Sequence, residues 1–409
     1  MSNKESNYLF PLFALIVLFA DELFYCYLGV SGMTVETGLK AMEAIAIAGV
    51  AFFMMFSDVT KHRFSKRNYS QFFFIAVLIV LYYSTQYFIP ELSGIKRYRT
   101  TLLSCGALCL PAAYVGMRLA RGKYNEQVLN LLPIFVVVVS VIVGAAVLLS
   151  SAVGELLTSE EEVFSYQTAS YYLSFCYSYC FFYAIGYEDK SKTFLGKIAT
   201  LVMYGMMIVC AACCLMGGGR GAFVYMVLIS AYLVYRYVLK GGKHRWRTIL
   251  LFAIGAGILA IVAVKMNVFE SAGFTRISEN LTTDNERTLL WERAMAAYRQ
   301  SPLFGHGLGS IWATVGFYSH NMLGDLLAET GILGTTIIII VLVRIFICLS
   351  RRSGLSGFDM FMLLVFLGAL IHDTFSGYWM TSPKLFLAFG YVFGLTRTKL
   401  KKRSYRLHQ

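Results

Sequence analysis

Runs of about 20 apolar residues recur along this chain from one end to the other, and that length is what an α-helix needs to cross a bilayer. Within lipid, every backbone N–H and C=O must be satisfied inside a helix or a closed barrel. The runs show none of the apolar–polar alternation that barrel strands carry. The chain therefore reads as an all-α polytopic membrane protein. About twelve spans are expected, near residues 8–29, 41–56, 71–90, 101–119, 129–150, 166–187, 194–215, 221–238, 248–268, 322–346, 357–374 and 383–397. Composition agrees, because only 14% of residues are charged, against roughly 25% in soluble domains. The first run holds Asp21 and Glu22 and lacks a small-residue cleavage site, so it reads as a retained span. No repeat of 20–50 residues is visible, and residues 1–409 read as one integral membrane domain.

The net charge of +13 would suit nucleic acid, but the positions of the charges argue against that partner. No basic, aromatic-interleaved soluble module exists to carry it. Basic residues sit instead in short connectors. One holds Lys61, Arg63, Lys66 and Arg67, a second Arg118, Arg121 and Lys123, and a third Arg236, Lys240, Lys243, Arg245 and Arg247. Arg351 and Arg352 follow the tenth run, and the tail after 396 holds Arg397, Lys399, Lys401, Lys402, Arg403 and Arg406. All of these fall on one side if the N-terminus is cytoplasmic, which is the positive-inside pattern with both termini inside. The other side receives Glu155, Glu160, Glu161 and Glu162, and the long segment 269–322, read as one extracytoplasmic loop. Lys96, Arg97 and Arg99 fall on that outer side against the bias. They read either as a headgroup-snorkelling cluster or as a cationic rim for phosphate or an acidic glycan.

The nine cysteines lie in or beside apolar runs, where Cys behaves as a small hydrophobe. Segments 150–165 and 269–322 contain none, which excludes disulfides there. Cys210-x-x-Cys213 stands without a second pair or a neighbouring His, so no metal site is expected. No Asp-x-Asp, His-Glu-x-x-His or Gly-x-Ser-x-Gly occurs, and the Gly305-His306-Gly307-Leu308-Gly309 stretch lacks the βαβ context of a dinucleotide site. No cofactor is expected.

Charge in or near a bilayer is costly and tends to mark function. Arg220 lies in Gly217-Gly218-Gly219-Arg220-Gly221 at the mouth of the eighth run. An arginine at a helix start opposes the macrodipole, and guanidinium pairs bidentately with phosphate. The structural alternative is a flexible turn with a snorkelling side chain. Arg276, Arg287 and Arg293 are on the same outer side, with Glu279, Glu286 and Glu292 as available local partners. His320 is the candidate for proton transfer, since imidazole titrates near neutrality, and His306 is its rival. Ser319 reads as the N-cap of a helix that His320 opens. Asn321, Asp325 and Glu329 recur at four-residue intervals on that helix, so they share one face and are expected to turn inward as substrate contacts. The His372-Asp373 pair at the end of the eleventh run reads as a buried polar contact.

The order of these parts resembles the bacterial O-antigen polymerase and O-antigen ligase family. Gly219-Arg220-Gly221 opens a span, and Arg287 stands four residues before Trp291. Pro302, Gly305, Gly307 and Gly309 follow, and Ser319-His320-Asn321 leads into Ala328-Glu329-Thr330-Gly331 and Gly334. The resemblance covers about 195–340 and implies a GT-C-like helical fold and glycosyl transfer at the outer face of the bacterial cytoplasmic membrane. The implied donor is a glycan on undecaprenyl pyrophosphate, with membrane lipids, a chain-length regulator and a flippase as further partners. By the same resemblance Arg220 and Arg287 hold pyrophosphate and His320 activates the acceptor hydroxyl. A polymerase of lipid-linked repeat units is the first expectation, and a ligase transferring glycan to lipid A core the second. A flippase or other transporter is the third, but transporters show repeated halves and charge near the midplane, whereas here charge gathers at one rim.

Overall fold

The computed structural model describes residues 8–20, 22–24, 37–60, 101, 105–152, 166–186, 194–239, 257, 261, 264–265, 285–354 and 356–406. No strand occurs among the described residues. The helices are α1 Leu9–Leu18, α2 Thr37–Thr60, α3 Leu110–Leu119, α4 Asn125–Ala152, α5 Tyr166–Gly186 and α6 Phe194–Gly217. They continue with α7 Arg220–Val234, α8 Asn285–Gln300, α9 Ile311–Thr314, α10 Met322–Arg352, α11 Gly357–Phe375 and α12 Pro383–Arg406. A π-helical turn, Cys105–Cys109, leads into α3, and another, Tyr235–Leu239, follows α7.

Among the described residues four helical stretches are long and apolar enough to cross a membrane: Asn125–Leu149, Gly196–Gly217, Met322–Arg352 and Gly357–Phe375. Leu9–Leu18, Cys105–Leu119 and Pro383–Leu395 are shorter apolar helices. The spans expected near 71–90 and 248–268 fall wholly or mostly outside the described residues, as does the acidic 155–162 stretch. Helix α12 runs on to Arg406, well past the expected end at 397. Hydropathy marks what lipid tolerates, whereas the i→i+4 ladder continues through Lys and Arg, which are good helix formers.

The core lies around α11, in which Met360 to Phe366 are all essentially buried. Tyr225 Oη of α7 lies within hydrogen-bond distance of both the Leu364 carbonyl, at 3.1 Å, and Ser178 Oγ of α5, at 2.9 Å. At the far edge α10 turns apolar side chains outward, with Ile337 63% and Ile340 60% exposed, as a lipid-facing surface requires.

Close helix packing in lipid relies on small residues, and α3 meets α12 in that way. A Cβ on Gly390 would sit 2.0 Å from the Ala113 carbonyl oxygen, and one on Gly116 2.1 Å from that of Leu387. Gly394, four residues on from Gly390, lies against Ala120.

Several buried charges are paired within this bundle. Asp58 accepts from Tyr114 Oη at 2.9 Å and pairs with Arg118 at 3.3 Å. Arg352 reaches Asp359 with two nitrogens, at 2.9 and 3.3 Å, and Tyr391 donates to the same carboxylate at 2.8 Å. Lys384 at the start of α12 pairs with Glu22, its ammonium lying over the Tyr172 and Phe175 rings.

Candidate active site

Helix α10 is two helical pieces, because Gly331 has φ 60° and ψ −171°, a region essentially closed to side-chain-bearing residues. The break takes away the i→i+4 partners of the Ala328 and Glu329 carbonyls and of the Ile332 and Leu333 N–H groups. The Gly-rich loop before α9 replaces all of them. His306 N donates to Ala328 O at 3.1 Å, and Gly307 N to Glu329 O at 2.8 Å. In return Ile332 N donates to Pro302 O at 2.8 Å, and Leu333 N to Leu303 O at 3.3 Å. Two backbones can approach so closely only without side chains between them. A Cβ on Gly305 would lie 2.3 Å from the Glu329 carbonyl carbon, and one on Gly331 2.4 Å from the backbone of Leu303. The glycine spacing in the sequence is therefore the imprint of a loop clasped into a broken helix.

The inward carboxylates of α10 hold the flanking chain. Asp325 and Glu329 are each 0% exposed. Asp325 Oδ1 accepts from Ser319 N at 2.7 Å. Glu329 Oε1 accepts from Gly309 N at 3.0 Å and from the Tyr378 hydroxyl. Asn321, not Ser319, is the N-cap, with Oδ1 accepting from Leu323 N at 3.0 Å and Gly324 N at 3.3 Å. The Ser319 hydroxyl donates to Asn321 O at 3.0 Å. The cap is displaced because His320 does not open the helix: its φ of 53° is left-handed, unique among the described non-glycine residues. Such backbone persists only where its surroundings over-determine it, and here Asp325 and Asn321 fix the residues on either side. These oxygens of Asn321, Asp325 and Glu329, expected to serve substrate, are bonded to backbone and hydroxyl groups of the protein.

The His320 ring lies in an aromatic wall, its centroid 4.4 Å from Tyr318 and 5.4 Å from Phe317. Trp312 packs edge-on against Phe317, Tyr318 and Tyr378. Tyr318 donates to Ser376 O at 2.9 Å, which ties the wall to the turn after α11.

The same turn receives Arg287 and lies against the start of the helix that carries Arg220. Arg287, in the first turn of α8, donates to Phe375 O at 3.3 Å. Its helix is docked by Trp291, whose ring lies 2.8 Å from where a Cβ on Gly324 would be. The four-residue spacing from Arg287 to Trp291 thus puts an anchor and a cation on one face. Arg220 is the first residue of α7 and half-buried. Beside it Gly219 N donates to Ser170 Oγ at 3.1 Å, and Gly221 is pressed against Tyr171 and Phe375. Tyr171 Oη is 3.2 Å from Ser376 Oγ and within electrostatic reach of Arg287 and Asp373.

The helix starts carrying Arg220 and Arg287, and the segment carrying His320, therefore converge on Phe375–Tyr378. Arg293 is exposed further along α8. Arg276, Lys96, Arg97 and Arg99 lie outside the described residues. Tyr171, Tyr318 and Tyr378 had no signal in the sequence, since tyrosine is frequent in membrane helices and nothing local marks these three.

An α-helical, multi-pass membrane protein with arginine and histidine gathered at one end of its bundle is the class that fold and site define. Residues 205–339 match the family model described as O-antigen ligase. The match supports membership of the O-antigen polymerase and ligase family and a role in glycan processing at a membrane. The matched block contains Arg220, Arg287, His320 and the whole clasp between Pro302 and Leu333. No curated protein and no solved structure matches the chain.

Proposed function

We propose that this protein polymerises oligosaccharide repeat units carried on undecaprenyl pyrophosphate, at the outer face of the bacterial cytoplasmic membrane. The observation that carries this reading is the convergence of Arg287, the Arg220 helix start and the His320 segment on one turn. A lipid pyrophosphate is a good leaving group, so the transition state needs cationic stabilisation of the departing phosphate and a base for the attacking hydroxyl. Arg220 and Arg287 supply the first and His320 the second. The acceptor hydroxyl attacks the anomeric carbon and its proton passes to His320. The bond from that carbon to the phosphate oxygen breaks, leaving polyprenyl pyrophosphate held by the arginines. The second reading is a ligase that delivers glycan to lipid A core, favoured by the description of the matching family model.

The test is purified protein in nanodiscs given the lipid-linked repeat unit alone. A ladder of longer lipid-linked glycans is the expected product, and it persists in EDTA because guanidinium groups handle the phosphate charge. Transfer only after lipid A core is added would replace polymerase by ligase. An absolute need for Mg²⁺ or Mn²⁺ would move the phosphate charge from arginine to an ion.

The proposed orientation has its own check. Ala313 is exposed on α9, within the segment assigned to the outer side. In a variant lacking reactive native cysteines, Ala313→Cys should be labelled by a membrane-impermeant maleimide in intact spheroplasts. Labelling only after lysis would invert the topology.

A further inference from the structure

His372 and Asp373 close α11 beside the arginines, outside the block that matches the family model. His372 Nδ1 lies 3.0 Å from Asp373 Oδ1. Asp373 is 1% exposed at its side chain, whereas the His372 side chain is 42% exposed. The carboxylate is thus hidden behind the ring it orients. With Nδ1–H given to Asp373, the ring's other nitrogen, Nε2, is left for a ligand, the arrangement by which a second carboxylate fixes tautomer and orientation in working histidines. The imidazole also stands edge-on to Tyr171, with centroids 4.6 Å apart. Tyr171 bonds Ser376, lies within reach of Arg287 and touches Gly221, the neighbour of Arg220. A Cβ on Gly377 would come within 2.6 Å of both the His372 ring and Asp373 Oδ1, so the turn leaves that face of the pair uncrowded only because glycine is there. The buried Oδ2 of Asp373 has no hydrogen-bond partner among the described residues.

The geometry points to His372, held by Asp373, as a third phosphate-binding residue of the donor site, donating Nε2–H to the pyrophosphate of a polyprenyl-linked substrate. This rests on the lipid-pyrophosphate reading above. No proton is transferred: the Nε2–H of the imidazole hydrogen-bonds the oxygen that takes the electron pair when the sugar–phosphate bond breaks. Arg220, Arg287 and His372 then present N–H donors from α7, α8 and α11, while His320 stays with the acceptor.

The experiment separates this assignment from the overall function by measuring binding without catalysis. Undecaprenyl pyrophosphate, undecaprenyl monophosphate and inorganic pyrophosphate are titrated against the full chain in nanodiscs. A hydrogen bond to a charged phosphate is worth enough that His372→Gln, which keeps a donor but loses the ring oriented by Asp373, should weaken undecaprenyl pyrophosphate about tenfold. His372→Ala should weaken it up to about a hundredfold. Asp373→Asn should fall between wild type and His372→Gln, with thermal unfolding of all three variants close to wild type. The monophosphate should be affected less than the pyrophosphate. Equal affinity of wild type and His372→Gln for undecaprenyl pyrophosphate would overturn the assignment, as would a wild-type protein that binds none of the three probes. If His372→Gln weakens binding as stated but wild type transfers no glycan to any acceptor, the phosphate site stands and the transferase reading falls.

Discussion

Arg220→Ala, Arg287→Ala and His320→Ala should each remove detectable polymer while membrane insertion and expression are retained. Loss of one electrostatic stabiliser of a developing anion costs about 10²–10³ in rate, and loss of a general base about 10²–10⁴. None of the three side chains is deeply buried, so truncation leaves packing largely intact. Arg287→Lys is the sharper variant. It preserves charge, yet an ammonium is a point charge that cannot place two parallel N–H groups on a phosphate, nor hold the Phe375 carbonyl as the guanidinium does. Its rate should stay below about a tenth of wild type. His306→Ala should be far milder, because its backbone N–H, which alanine keeps, donates to Ala328 O at 3.1 Å, while the ring adds only a 3.4 Å contact to the same carbonyl. The measurement is ladder formation in nanodiscs at saturating lipid-linked repeat unit. Wild-type turnover by His320→Ala would remove the proposed base, and wild-type turnover by Arg287→Lys would remove the bidentate phosphate contact.

Gly331→Ala and Gly305→Ala should be the most damaging changes in the loop and helix that build the site, although neither residue touches substrate. At Gly331 an alanine meets a backbone conformation costing about 1–3 kcal/mol and a Cβ 2.4 Å from Leu303. Relieving that overlap means opening the clasp, whose hydrogen bonds contribute about 1 kcal/mol each. Gly305→Ala adds a Cβ 2.3 Å from the Glu329 backbone at φ 68°. Gly307→Ala provides the internal control: its φ of 97° is also unfavourable, but nothing lies within 4 Å of the added atom. Thermal unfolding in detergent should therefore fall steeply for Gly331→Ala and Gly305→Ala and modestly for Gly307→Ala, with activity following the same order. A Gly331→Ala protein with wild-type unfolding and turnover would show that the clasp does not support the site.

The helical class was legible in the sequence because lipid leaves the backbone so few choices. Apolar length and the absence of alternation suffice, and the expected runs are helical over nearly all of their described residues. Helix ends were less legible. Apolar length says where a chain can sit in hydrocarbon and nothing of where hydrogen bonding stops, so α2 and α12 extend beyond their apolar stretches. The break at Gly331 was hidden for a related reason. Glycine is tolerated inside membrane helices, and only the partner loop at Pro302–Gly307 shows that this one interrupts the ladder.

Residue chemistry marked Arg220, Arg276, Arg287, Arg293 and His320 as candidates, because a cation or a titratable ring at a bilayer boundary is costly and that cost is readable in one dimension; the family resemblance singled out Arg220, Arg287 and His320. The sequence by itself therefore determined the helical membrane class of the protein and offered a set of candidate side chains. Tertiary structure alone decided which of them meet. Helices α5, α7, α8 and α11 lie far apart along the chain, and their convergence on Phe375–Tyr378 comes from packing between helix faces that no local pattern encodes. The same packing gave one side-chain oxygen each of Asn321, Asp325 and Glu329 to backbone N–H groups of the helix and its flanking loop. A buried carboxylate takes the nearest donors available to it, and folding brought those donors in from the loop.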